Sequence, residues 1–214
     1  SQIVTAANNT SEAEFIFSLR NTSAENKHLL LDNVSVEEIT EEVSEVETIA
    51  ELREGTAGGK YILTGEAIIT FSQQYRNQKY IQDESAAILI DDNDGVISTS
   101  YDRYDGISGI SGTLTSFNNM IQFVPDEDPG PATSSGNEVI PLRLTLGSIG
   151  PEHQAMLIEV EDVSFEQSGN FDSGENYDIS TVDGEGIFRT HFQDADYIGD
   201  AIPEEPLNIV RRVN

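Results

Sequence analysis

Cysteine is absent from the 214 residues. That removes disulfides, thiolate nucleophiles and thiolate zinc sites in one step, while leaving the compartment open. Basic residues are scarce: 11 Lys and Arg stand against 39 Asp and Glu, a formal net charge of -28 at pH 7. A field of that sign repels phosphate backbones and anionic membrane surfaces, so generic nucleic-acid binding is not expected. No apolar run approaches the roughly 20 residues a membrane-spanning helix needs, so no membrane insertion is expected. The first residues also lack the basic-then-apolar pattern of a signal peptide, and no initiating Met is present. The chain is therefore expected to be a mature, trimmed or partial product.

What is present is a β-forming pattern, and the fold class expected is all-β. Residues 12 to 36 read as two strands: Glu12 to Leu19 alternates around Phe15 and Phe17, and His28 to Val36 carries Leu29, Leu30, Leu31, Val34 and Val36. A lone hairpin is marginal in water, so this pair must lean on another sheet. Residues 37–48 concentrate acid in EEITEEVSEVE and read as a linker. Thr48 to Glu54 predicts a short helix, with Thr48 as its cap, Glu51 completing a capping box and Gly55 stopping it.

From Lys60 onward short strands recur, separated by Gly, Asn and Asp, as in a sandwich or barrel. Strands are expected at Tyr61 to Phe71, Lys79 to Gln82, Ala86 to Asp91, Gly106 to Phe117 and Asn119 to Val124, with Asn118-Asn119 as a tight hairpin turn. Asp126 to Glu138 reads as a loop, and Val139 to Leu146 as a further strand. A second series is expected at Ala155 to Phe165, Asn176 to Ser180, Gly186 to His191 and Leu207 to Val213, too short to close a second complete barrel. The division expected is a small barrel over 49–150 and a second, incomplete β module over 151–214.

Candidate sites are few. His28, His153 and His191 are far apart, none in an HExxH spacing, and no G-x-S-x-G elbow, P-loop or dinucleotide fingerprint occurs. Paired carboxylates are expected by number alone in a chain this acidic, so they do not indicate a glycosidase. The sharpest constellation is Asp91, Asp92, Asn93 and Asp94 before Gly95, which places several oxygen ligands on one turn, as calcium loops do. The EF-hand pattern is not completed, because Tyr101 stands where its closing Glu belongs, and a polar turn after a strand explains the same residues. Asp126, Glu127 and Asp128, and separately Asp194, Asp196 and Asp200, are weaker versions of the idea. Calcium is thus the one cofactor considered. Among Tyr75, Tyr80, Tyr101 and Tyr104, the pair in SYDRYDG, Tyr101 and Tyr104, offers loop-borne stacking surfaces, whereas Tyr80 reads as core. Arg76, Lys79 and Arg103 are too few to hold single-stranded nucleic acid against the surrounding acid.

Four segments together carry a resemblance: TIAELREG, KYILTGEAIITF, KYIQDESAAILIDD and GISGISGTLTSFNNMIQFVP. They resemble the OB-fold-like domains of secreted multidomain proteins of Bacteroidota. The later run through Phe165, Asn176, Tyr177, Ile179, Asp183, Gly184, Gly186, Gly199, Ile202 and Pro203 resembles the companion module that often follows. HLLLDNVSV is similar to the last strand of a carbohydrate-binding-like jelly roll. The resemblance implies an extracellular or outer-surface location and no assigned activity of the domain itself. The function expected is a non-catalytic architectural or adhesion module, with neighbouring domains or other surface proteins as partners. Two alternatives stand beside it: a ligand-binding accessory region of an extracellular hydrolase or nuclease, and a fibre subunit that self-associates by strand addition.

Overall fold

Two sheets, of eight and five strands, account for most of the regular structure. The structure is a computed structural model and describes residues 42–192 and 195–213. The expected strands at 12–19 and 28–36, His28 and Asp194 lie outside the described residues. The all-β expectation holds.

The first sheet is made by β1 (Val43–Val46), β2 (Lys60–Leu63), β3 (Ala67–Ser72), β4 (Lys79–Gln82), β5 (Ala87–Ile90), β6 (Gly106–Ile107), β7 (Ile110–Phe117) and β8 (Met120–Pro125). Its spatial order is β1-β2-β7-β8-β5-β4-β3-β6, a sheet curled into a half-barrel. The supposed acidic linker over 37–48 is corrected here, because Val43–Val46 pairs in parallel with Lys60–Leu63. Its valines serve the strand: Val46 packs on the core while Glu45 stays exposed, and charge on such an edge discourages pairing with other chains.

Tyr61 to Phe71 is two strands rather than one, divided where Gly65 lies against the backbone carbonyl of Glu47 and leaves no room for a Cβ. Gly106 to Phe117 divides likewise at Gly109, which has φ +69, a left-handed conformation natural to glycine. The Asn118-Asn119 turn is as expected: φ of 49° and 67° are the left-handed values of a two-residue hairpin, and Phe117 pairs with Met120 across it.

Helix α1 (Ile49–Arg53) carries the expected capping box, with the Thr48 hydroxyl accepting from the Glu51 N–H at 3.2 Å and the Glu51 carboxylate from the Thr48 N–H at 3.2 Å. Its other free N–H groups find the turn before β5: Ile49 donates to Asp83 Oδ2 at 2.7 Å and Ala50 to Ser85 Oγ at 3.0 Å. Ile49 and Leu52 are wholly buried in the core, each worth about 1.5–3 kcal/mol of apolar burial. The helix therefore plugs one end of the half-barrel core, whose other members include Leu63, Ile69, Ile81, Ile90, Ile110 and Phe123.

The second sheet comprises β9 (Leu142–Arg143), β10 (Leu157–Phe165), β11 (Asn176–Thr181), β12 (Gly184–Arg189) and β13 (Leu207–Arg212), ordered β12-β11-β10-β13 with β9 beside β10. The strand expected over Val139 to Leu146 shrinks to two residues, followed by a 3-10 turn at Leu146–Ser148. β9 pairs with β10, and Leu144, Leu146 and Ile149 pack into the second core, so the change from one sheet to the other falls before Pro151. Phe165, Phe171, Tyr177, Phe188 and Tyr197 fill that core, and most of their rings meet edge to face at 5.1–5.8 Å.

A third apolar cluster joins the sheets: Tyr80 and Leu89 from the half-barrel meet Ala155 and Phe192, with Phe71 and Met156 alongside. Polar bonds follow the same seam. Leu157 N–H donates to Gln82 Oε1 at 2.9 Å, and Arg53 donates to the carbonyls of Ala87, Gln154 and Pro151 at 2.9, 3.1 and 2.8 Å. From residue 42 onward the described chain is thus one unit.

Candidate functional site

Where the two sheets diverge beyond the seam they leave a cleft of about 1020 Å³. β5, β8 and the segment before β4 form one wall, and β10, β11, β12 and β13 form the other. Alternation along these strands puts Leu89, Ile158, Val160, Ile179 and Ile209 into the lining. The mouth carries three exposed apolar side chains: Tyr75 at 67% exposure, Phe117 at 66% and Ile187 at 65%.

Arginines converge on this apolar space. Arg76, Arg189, Arg211 and Arg212 line it, four of the chain's 11 basic residues, whereas Asp91 is the single lining carboxylate among the described residues. The lining therefore carries a net +3, from four arginines and one aspartate, inside a chain of -28. Among the described residues no serine, threonine or lysine lines it.

Each arginine is placed by specific partners. Arg76 donates Nε to Asp91 Oδ1 at 2.7 Å and a terminal nitrogen to Asp91 Oδ2, while Gln78 Nε2 donates to Oδ1 at 2.9 Å. The Arg76 hydrogen bonds, with help from Gln78, hold the Asp91 carboxyl below the usual carboxylate range. Arg189 donates to Asn176 Oδ1 at 2.8 Å. Arg211 lies 3.8 Å from the centre of the Phe188 ring and donates to the Arg189 carbonyl. Arg212 lies over Phe71 and donates to Thr70 Oγ1 at 3.4 Å and to the Thr70 carbonyl. Burial lowers the Arg211 guanidinium from its ordinary value, and lowers Arg212 to about 10. His191, at the rim, is lowered by partial burial and by the charges of Arg189 and Arg211. No carboxylate pairs with Arg189, Arg211 or Arg212 among the described residues.

The calcium candidates occupy a different chemistry. The Asp91 carboxylate is taken by Arg76 and Gln78. Asp92 is buried, accepting at Oδ1 from Val96 N–H at 2.7 Å and at Oδ2 from Ile97 N–H at 2.9 Å and Asn77 Nδ2 at 2.5 Å. Asn93 and Asp94 are exposed at the tip of the turn. Asp91 and Asp92 thus pin the chain leaving β5, and among the described residues no group of three or more acidic or histidine side chains gathers as a metal would require. Asp128 is used in the same way, accepting from the Gly130, Ser98 and Thr99 N–H groups at 2.9, 2.9 and 2.8 Å. Asp126 pairs with Lys60 at 3.3 Å.

The tyrosines expected to stack on ligands are placed apart from the cleft. Tyr101 packs against the half-barrel core and donates its hydroxyl to the Gly130 carbonyl at 2.5 Å. Tyr104 sits beneath Arg103, 4.6 Å from guanidinium carbon to ring centre. Of the residues named from sequence, Arg76, Tyr75, Tyr80, Asp91 and His191 come together in the cleft. Arg189, Arg211 and Arg212 were not singled out. Their signal was an Arg-Arg doublet on an alternating strand in a chain almost without basic residues.

These features define an all-β, two-sheet protein with a cationic apolar cleft between its sheets. No protein-family model, curated protein or solved structure matches the chain.

Proposed function

We propose that the chain is a non-catalytic binding and spacing module of a secreted or cell-surface bacterial protein, and that the cleft between its sheets is its ligand site. The observation that carries this reading is the cleft itself, about 1020 Å³, apolar inside and bordered by exposed Tyr75, Phe117 and Ile187. That volume is at the upper end of small-molecule sites, and large exposed apolar side chains around one opening mark a surface meant to be covered. The polar groups lining it are suited to holding a ligand, since guanidinium groups orient anions. A spacing role is favoured by the seam, where Gln82, Arg53 and Arg212 tie the second sheet to the half-barrel.

Fluorescence titration with the neutral apolar dye N-phenyl-1-naphthylamine tests the binding reading. One saturable site per chain is expected, weakened at least tenfold in Ile187→Glu and Phe117→Ser. Both positions are largely exposed, so the variants should fold normally. Absence of a saturable site, or a site indifferent to both substitutions, overturns the assignment.

A further inference from the structure

Resting on that reading of the cleft, we infer that its ligand is a small amphipathic anion, an apolar chain or ring system bearing one carboxylate, sulfonate or phosphate group. The apolar part faces Ile158, Val160, Ile179 and Ile209, and the anionic group meets Arg189 and Arg211.

Three observations converge on this chemistry. The first is donor supply. A guanidinium has five N–H donors, and Arg189 spends one on Asn176 while Arg211 spends one on the Arg189 carbonyl. Donors therefore remain on both groups, and both residues line the cleft. The second is missing compensation. A partly desolvated cation without a counter-charge is unfavourable, and the partly buried Arg211 has no carboxylate partner among the described residues. Arg76, by contrast, is neutralised by Asp91 within the same cleft. The third is that the Phe188 ring lies 3.8 Å from the Arg211 guanidinium and restrains it, so less freedom is lost when it meets an anion.

The same charges limit the size of the anion. Beyond the cleft the acidic surface opposes approach, and at physiological ionic strength that repulsion persists over roughly 8 Å. A single anionic group inside the cleft lies among arginines. A polyanion would have to run out across carboxylates. Nucleic acid and polyanionic polysaccharide are therefore disfavoured, and an acyl or aryl monoanion is favoured.

A matched pair of dyes separates this inference from the reading beneath it. 1-Anilinonaphthalene-8-sulfonate has the ring skeleton of N-phenyl-1-naphthylamine plus one sulfonate. With the whole native chain, the sulfonate is expected to bind at least tenfold more tightly than the neutral dye. Arg189→Gln, at an exposed position on β12, and Arg211→Gln should each erase most of that preference, read as the ratio of the two dyes' affinities within each variant. Decanoate should displace the sulfonate dye, and decanamide should not. Equal affinity for the two dyes, or a preference unchanged in both variants, overturns the anion inference while the cleft stays a binding site. Binding of neither dye overturns both. A mass by light scattering that doubles with concentration, and falls on adding dye, would assign the cleft to a second copy of the chain and overturn the inference as well.

Discussion

The guanidinium of Arg212, at the end of the last strand, lies 4.5 Å from the centre of the Phe71 ring in the half-barrel, with Tyr80 at 5.8 Å. One side chain of the second sheet thus rests on aromatic residues of the first and donates to Thr70 beneath them. A desolvated cation–π contact is worth about 2 kcal/mol, and a hydrogen bond adds about 1. Burial of the charge, visible in the lowered guanidinium pKa, offsets part of that. Arg212→Ala should therefore cost about 2 kcal/mol in urea unfolding. Arg212→Met, which keeps the packing and removes the charge, should cost clearly less. The reverse order would mean that charge, not contact area, holds the seam.

Asp92 is 1% exposed and accepts three hydrogen bonds from Val96, Ile97 and Asn77. Asp92→Ala strands those donors and should lower stability by about 2–3 kcal/mol, with Asp92→Asn recovering part. Because these oxygens and those of Asp91 already serve protein donors, millimolar calcium should leave the Tm of the native chain unchanged. A calcium-dependent rise in Tm, absent from Asp92→Asn, would restore the turn as a metal site.

Stability should fall at both ends of the pH scale, for opposite reasons. Asp128 is held far below the ordinary carboxylate range by the Gly130 N–H, aided by Ser98 and Thr99, and Asp91 is held down by Arg76. Carboxyls depressed in the folded chain contribute stability that is complete above their unfolded value, about pH 4, and is lost as pH falls below it. Tyr80 is raised to about 12 by burial, so its contribution is complete below pH 10 and is lost as pH rises from 10 to 12. Urea midpoints measured between pH 3 and 11.5 should show both limbs. Asp128→Asn should flatten the acid limb, and Tyr80→Phe the alkaline one.

Asn119, at φ 67°, occupies the second position of the β7–β8 turn, where glycine is preferred. Asn119→Gly should raise the urea midpoint slightly. Asn119→Ala should destabilise by about 1 kcal/mol, because an alanine Cβ is strained in the left-handed region.

Much of the fold could be read directly. The capping box of Thr48 and Glu51, the Asn118-Asn119 turn and most strands follow from local pattern, since each depends on residues only a few positions apart. β1 was hidden because its acidic composition outweighed two valines, and its strand character comes from a distant partner, β2. The cleft was less legible still. Arg211 reaches the Arg189 carbonyl although β12 and β13 stand at opposite ends of the order β12-β11-β10-β13, a relation no local spacing expresses. The acidic turn at Asp91 was conspicuous in sequence for the same reason that it is spent in the structure: its oxygens bind neighbouring backbone and side-chain donors.

The half-barrel is held at its middle by a parallel pair, β5 against β8, in which Leu89 faces Gln122 and Ile90 faces Phe123. Neither strand can reach the other through a hairpin, and the chain between them must first fold β6 and β7 into place. Closing that pair is therefore a late, non-local event, and chains that depend on such pairings fold over milliseconds to seconds rather than microseconds. Until it closes, Ile88, Ile90 and Phe123 face water. The charge of -28 that keeps chains apart then protects the slow interval of assembly as well as the finished molecule.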